Sequence, residues 1–557
     1  MKRRNLFLSL ISSIVVAVAI VTVTVCSVIP KKKNQQNGKP GITTPIADVK
    51  DYTQYENVNL YERDGSVERP YVLYSAESFV SILEEFGGIE GINFEVVENI
   101  DFAGFNYAGE ANKGFVTLFN RGIPFRGNIN GNGFTLSNIS INVTTENLES
   151  DFSYSYAGNR YSRIAIFGEM RGSTIENLNI GKLNVNVAPE VNGFISEAKY
   201  DLSKGPFAEM VVASVAGIAR NVTLTGVDIE ANIAGSTYIN NAVSGNNAIG
   251  GVVAVASNFE MNALVNEDNE IVKKSEINVS IETNAGSNFL VGGISAYGTN
   301  VEVSNSEISV EIKSSASRIV TLAGMFAYAR TFDASDVNVN FTVKEILSQV
   351  ERDSYISNLT TDSNGQECLA KASDMSTVAG LVGILRANDS TQETNITNVN
   401  VNSNIDFDGM FAGVVFDVYS SSKTTFKLVE FKNVIVTADV NALVVHGFAR
   451  QLVATTVSYD IPTDTTGYYN IKLTGNVRFD RYTGVINVKG SDGNIKQSTV
   501  TYNGATILSA TDIKYANCSY KDLYIQASEG IDSVLQNGFN GISIRVGAFG
   551  KYTKIAG

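Results

Sequence analysis

Two short elements recur in the same order along this chain, and nothing else in the sequence restricts its fold as severely. The first is an apolar run carrying one or two glycines: AIFGEM, SVAGIA, IGGVVAVA, LVGGISAY, TLAGMFAY, VAGLVGIL and FAGVVF. The second is an alternating segment with a polar hinge: TLSNISI (135–141), TIENLNI (174–180), TLTGVDI (223–229), KSEINV (274–279), VSNSEISV (303–310), ASDVNV (334–339), ITNVNV (396–401) and FKNVIV (431–436). Chance recurrence in a Val- and Asn-rich chain does not explain two elements keeping one order. Aligning the second set gives a column of Asn138, Asn177, Gly226, Glu276, Asn305, Asp336, Asn398 and Asn433. In most rows an apolar residue follows directly and another comes two later, the period of a strand with one buried face.

The column advances by 39, 49, 50, 29, 31, 62 and 35 residues. The shortest steps set a unit of about 30 residues, and the longer ones hold excursions or a degenerate extra unit. Helical repeats need apolar residues at i, i+3, i+4 and i+7, and that spacing is missing. The expectation is an all-β solenoid of stacked parallel strands, with about ten to thirteen rungs ~4.8 Å apart. Stacked amides then hydrogen-bond up the rod, so Asn138, Asn177, Asn305, Asp336, Asn398 and Asn433 are expected to form a structural ladder. The GNINGNG stretch reads as a corner, with Gly127, Gly131 and Gly133 as turn glycines and Gly168 in the same role further on. A helix over YVLYSAESFVSILEEFGG (71–88) is expected to cap the rod. Ser75 starts it, Phe79, Ile82, Leu83 and Phe86 line one face, and Gly87 ends it.

These motifs resemble the bacterial surface proteins that carry the GLUG motif on a right-handed parallel β-helix of pectate-lyase-like build. PYVLYSAESFVSILEEF…FEVVENIDFAG is similar to that family's opening strand–helix–strand. FRGNINGNGFTLSNISI and IAIFGEMRGSTIENLNI resemble its two repeat signatures. The match is good over roughly 70–180 and decays beyond that to the bare two-element repeat, which continues up to about 450. Asn130, Phe134 and Ala165 replace the family's usual Asp, His and Gly. The resemblance implies the right-handed β-helix, secretion and a cell-surface or adhesive role, and it transfers no catalytic residue.

The organisation follows. Residues 1–33 begin with basic residues and run uncharged from Asn5 to Pro30, long enough to cross a bilayer. They read as a signal-anchor transmembrane helix or a cleaved signal peptide, and both put the body outside the cell. Residues 34–55 form a polar linker, 56–110 the cap and first rung, and 111–454 the repeat body. Residues 455–557 keep alternating strands without the repeat, either as distorted coils or as a separate β domain.

Composition removes several function classes. Residues 1–33 hold six of the 43 basic residues, leaving 37 against 57 acidic ones in the remainder. That balance disfavours nucleic acid. Cys26, Cys368 and Cys518 show no disulfide framework, and with His446 the only histidine no zinc cluster is legible. DSNGQE (362–367) and NEDNE (266–270) lack EF-hand spacing and read as solvated acidic loops, so no metal or cofactor is expected. Pectin-degrading enzymes need carboxylates on adjacent rungs, and Asp333/Asp336 and Asp406/Asp408 are the nearest sequence pairs. His446 reads as a packed residue. The excursion at 146–160 supplies a Tyr- and Arg-rich binding candidate: Tyr154, Tyr156, Arg160, Tyr161 and Arg163. The expected function is non-catalytic binding or adhesion at the cell surface, with an extracellular glycan or protein as partner and the membrane reached through the N-terminal segment. A polysaccharide lyase or hydrolase is the enzymatic alternative, and a structural envelope protein the third.

Overall fold

A computed structural model describes residues 63–187, 207–235, 246–283, 289–314, 320–351, 376–387, 394–420 and 429–446, apart from short breaks, and isolated strands between 449 and 554. Residues 1–33, the linker 34–55, all three cysteines and the 362–367 loop lie outside the described residues. No helix among the described residues is long and apolar enough to cross a membrane.

The described chain is mostly strand, with one large and mostly parallel sheet and few helices. Most strands pair in parallel with the equivalent strand one repeat further on, so the core is built in columns. Tyr71, Phe94, Ile129, Ile175, Leu224, Met261, Val303, Ala334, Ile396, Phe431 and Leu473 stand in continuous parallel register, one above another. From Tyr71 to Phe431 every member is buried. This is the alternation of the second repeat element read vertically: each inward residue rests on the inward residue of the rung below. Burial of a large apolar side chain stabilises by about 1.5–3 kcal/mol, and repetition makes the column a continuous core.

Two of the sequence's long steps resolve into single rungs. Asp336 stands beside Asn398, so the step of 62 residues is one rung with an excursion rather than two units. Glu276 does not share the Asn column. It pairs with Asp228, two positions past Gly226, because a hairpin, Leu264–Val265 with Ile271–Lys273, occupies that corner. Its turn is the NEDNE segment, where the Asn266 side chain accepts from the Asp268 and Glu270 amides at 3.1 and 2.8 Å.

The corners are where the backbone turns left-handed. Asn177, Gly226, Asn305, Asp336, Asn398 and Asn433 all have φ between 48° and 57°. Asn398 Nδ2 donates to Asp336 Oδ1 and Asn433 Nδ2 to Asn398 Oδ1, each at 3.0 Å. Asn and Gly carry the lowest cost in this conformation. Asn138 is also left-handed, but it belongs to a different corner. Its register neighbour is Lys182, and its amide reaches Asp101 Oδ1 at 2.7 Å. The register partner of Asn177 is instead the corner Gly131–Gly133, whose terminal glycines donate to the carbonyls of Glu176 and Asn177. The letters TLSN and TIEN align, but the hydrogen bonds pair TLS with NIG.

A second left-handed column, missed in the sequence, runs through Gly172, Asn221, Asn258, Asn300 and Thr331. Asn258 Nδ2 donates to Asn221 Oδ1 at 2.7 Å, and Asn300 Nδ2 to Asn258 Oδ1 at 2.9 Å. Asn258→Ala should therefore cost about 1–3 kcal/mol, and Asn258→Gly less, because glycine restores the backbone freedom. Thermal unfolding of the two variants separates these contributions. An alanine variant that melts with the parent protein would refute the ladder as a stabilising device.

The turn glycines divide by cause. Gly133 has a φ of 79°, as a tight turn requires. Gly127, Gly131 and Gly168 are not left-handed, correcting the positive-φ expectation. A side chain at Gly127 would strike the Phe94 ring, at Gly131 the Asn177 carbonyl and Leu178, and at Gly168 the Asn120 backbone. Asn128–Asn130 is itself a strand, so the corner is confined to the last glycines of GNINGNG.

The glycine-bearing first element forms its own stack. Ala165, Ser214, Gly251, Gly293, Gly324, Gly380 and Gly413 occupy equivalent positions on successive rungs. A Cβ at Gly251, Gly293, Gly324 or Gly380 would fall onto the carbonyl oxygen of the next glycine in the column. Ser214 fits because its hydroxyl donates to the Gly251 carbonyl.

The expected helix spans Ala76–Phe86, with a capping box between Ser75 and Ser78. Phe79 meets Phe102 edge-on at 5.6 Å, and Phe86 stacks on Tyr71 at 4.2 Å. Gly87 ends the helix in right-handed backbone, φ −66°. It is glycine because a Cβ there would lie 2.7 and 2.8 Å from the Phe119 and Phe125 rings. At the other end, Ile471–Thr474 and Arg478–Lys489 still pair in parallel with Val429–His446. Arg478–Lys489 then turns antiparallel to Ile495–Tyr502.

Candidate functional site

The Tyr/Arg segment singled out in the sequence is an antiparallel hairpin of Ser153–Tyr156 and Asn159–Ile164. Tyr154 and Tyr161 stack across it at 5.1 Å, and Tyr156 is well exposed. The second strand is also a rung, pairing in parallel with Phe207–Val212, so Tyr161 and Arg163 belong to the stack and not to a free loop. Arg163 is not a ligand arm. It is buried, lies over the Tyr154 ring and pairs with Glu169 at 2.7 Å. The Arg160 side chain lies outside the described residues.

Glu169 gathers three guanidinium groups. Arg163 and Arg171 each approach to 2.7 Å, and Arg220 to 3.8 Å. Burial acts to raise the Glu169 carboxyl, but the arginines outweigh it and hold it below the ordinary carboxylate value.

A more open constellation lies further along the same outer face. Tyr297 and Tyr328 are in register on adjacent rungs, with rings 4.8 Å apart and 7° from parallel. Beside them runs the outward column Arg171, Arg220, Ser257, Thr299, Arg330 and Arg386. Arg330 donates to the Tyr328 hydroxyl at 3.2 Å, and the Arg330 and Arg386 guanidinium groups lie 6.0 and 5.6 Å from its ring centroid. That hydrogen bond, with the nearby Tyr297 and Tyr328 hydroxyls, raises the Arg330 pKa. Both tyrosines are half-buried and both arginines exposed. Rigid rungs thus present two flat rings and two planar cations to solvent, groups suited to stacking on a ligand and donating to it. The signal was in the sequence, because LVGGISAY and TLAGMFAY end on the same Tyr.

Past the Asn300 and Thr331 corner, the same rungs carry a carboxylate column of Glu260, Glu302 and Asp333. Glu302 is raised above its ordinary value, first by burial and then by the charges of Glu260 and Asp333. Asp333 accepts from the Asn395 amide at 2.6 Å. Asp336 serves a corner, away from this column, and Asp408 is buried. Among the described residues no group of three or more His, Cys, Asp or Glu is placed to hold a metal ion. His446 ends the strand Val429–His446, and its side chain lies outside the described residues.

No family model matches the sequence, and no curated protein matches it. A solved structure described as a "putative immunoglobulin A1 protease" from Bacteroides ovatus is similar over 78% of this chain and 93% of its own, at 12% identity and a TM-score of 0.30. A likeness at that level carries no argument about fold or activity.

Proposed function

We propose that this chain is a non-catalytic binding or adhesion protein displayed outside the cell on a right-handed parallel β-helix. The resemblance to GLUG-motif surface proteins and the apolar N-terminal segment support that address. The observation that carries the reading is the outward pairing of half-buried Tyr297 and Tyr328 with exposed Arg330 and Arg386 on consecutive rungs. Tyr and Arg dominate binding hot spots because they offer large rigid contact area with a polar end. An extracellular glycan or protein is the partner this surface suits.

A glycan array and a polysaccharide-cleavage screen on the purified protein test the proposal. Binding without turnover is expected, and Tyr328→Ala should weaken it by about tenfold or more, equivalent to ~1.4 kcal/mol. Binding indifferent to Tyr328→Ala and Arg330→Ala would remove this face from consideration. The second reading, a polysaccharide-cleaving enzyme, draws on the stacked acidic side chains, since a Glu302 raised by burial and by its neighbours Glu260 and Asp333 has the shift a general acid needs. Cleavage abolished by Glu302→Gln would replace the binding proposal with that one.

A further inference from the structure

We propose that a cleft at the N-terminal end of the stack, separate from the Tyr328 face, binds the neutral end of an oligosaccharide. The cleft has a volume of about 670 Å³ and lies between the end of the Ala76–Phe86 helix and the segments around Tyr107 and Phe119. That size falls within the ~300–1,000 Å³ range of small-ligand sites.

Its lining has two characters. Val116, Phe119 and Ile123 are apolar, and Ile123 is 66% exposed, a large hydrophobic side chain facing solvent. Phe119 sits in left-handed backbone, φ 55°, an outlier for a bulky residue. Its ring is held there by Phe125 and Phe167, at 5.5 and 6.4 Å. Strain of this kind persists where surrounding packing fixes it, and it gathers at ligand clamps.

The polar lining is already ordered. Tyr107 donates to Glu84 at 2.6 Å. Lys113 lies 3.1 Å from Glu110 and 3.6 Å from Asp151. Buried Asn120 donates to the Asp151 carbonyl at 2.7 Å. These groups choose the ligand class. Glu84, Glu85 and Asp151 repel an acidic ligand, while Lys113 occupies the place a cationic ligand would take. Hydroxyl groups suit both, donating to the carboxylates and accepting from the ammonium. A sugar ring also offers a C–H face to Phe119 and Ile123.

The chain has no Trp, so Ile123→Trp places a single indole reporter at the cleft. The full-length variant is titrated with neutral di- and trisaccharides, with uronate-terminated oligosaccharides and with a diamine. A saturable fluorescence change with at least one neutral saccharide is expected. Glu84→Gln should weaken it about tenfold, and Tyr328→Ala should leave it unchanged, which keeps this site distinct from the face described above. Because the indole itself could fill the cleft, the unsubstituted protein is also melted with the same sugars, and a rise in Tm is expected. No response in either measurement, a stronger response to the diamine or the uronates, or indifference to Glu84→Gln would overturn the proposal.

Discussion

Replacing Gly324 by valine is expected to abolish cooperative unfolding of the stack near the parent temperature, and Gly324→Ala to destabilise it by about 1–3 kcal/mol. The cause is vertical. A Cβ at residue 324 would fall onto the Gly380 carbonyl and within 3.0 Å of Val339 Cγ1. A rung cannot shift to relieve one contact without moving its neighbours, because Gly293 and Gly380 press on the next glycine in the same way. Overpacking is costly wherever a core cannot relax. Gly181→Ala is the control, since a Cβ there meets only Thr135 Cγ2 at 3.4 Å, an ordinary contact. Chemical denaturation followed by circular dichroism checks both. If Gly324→Ala and Gly181→Ala unfold together, the stacked column does not constrain the fold.

The second large effect lies at Glu169. Removing its carboxylate as Glu169→Ala takes from buried Arg163 the carboxylate it holds at 2.7 Å, and breaking such a pair costs about 3–5 kcal/mol. Arg171 and Arg220 are more exposed and lose less. The sign of the pH dependence follows from the depressed Glu169 pKa. A carboxyl lowered on folding contributes stability that is complete above its unfolded value and is lost as pH falls through the folded one. The Tm difference between the parent protein and Glu169→Gln should therefore be constant near neutrality and narrow only as pH falls below the ordinary carboxylate range and Glu169 protonates. A gap that persists unchanged at acid pH would mean that shape, not charge, sets the contribution of residue 169.

Much of the architecture was legible in the sequence for a simple reason. In a stack of parallel strands, the residue that must be apolar or small on one rung must be so on the next, as from Phe94 to Phe431 and from Gly251 to Gly413. Register was harder to read. Left-handed corners accept Gly, Asn, Asp, Thr and Lys alike, as Gly226, Asn305, Asp336, Thr331 and Lys182 show. Letters at a corner therefore do not fix which strand lies above which, and Asn138 was misplaced for that reason, whereas Glu276 was misplaced because a hairpin takes over its corner. The fate of Arg163 was illegible too, since no local pattern tells that it turns inward to Glu169 while Arg330 stays outside. Tyr297 and Tyr328 were within reach, because the repeat already stacked them.

The strands Ser295–Ser314 and Phe326–Glu345 keep one offset of 31 residues from the first pair, Ser295 with Phe326, to the last, Ser314 with Glu345. A corner insertion such as the Leu264–Lys273 hairpin leaves the parallel pairing on either side intact. Reach and decoration are thus separable heritable traits in this chain. Copying one 31-residue module would lengthen the stack by a single rung, while new sequence spliced at a bend would change the surface there without altering the number of rungs.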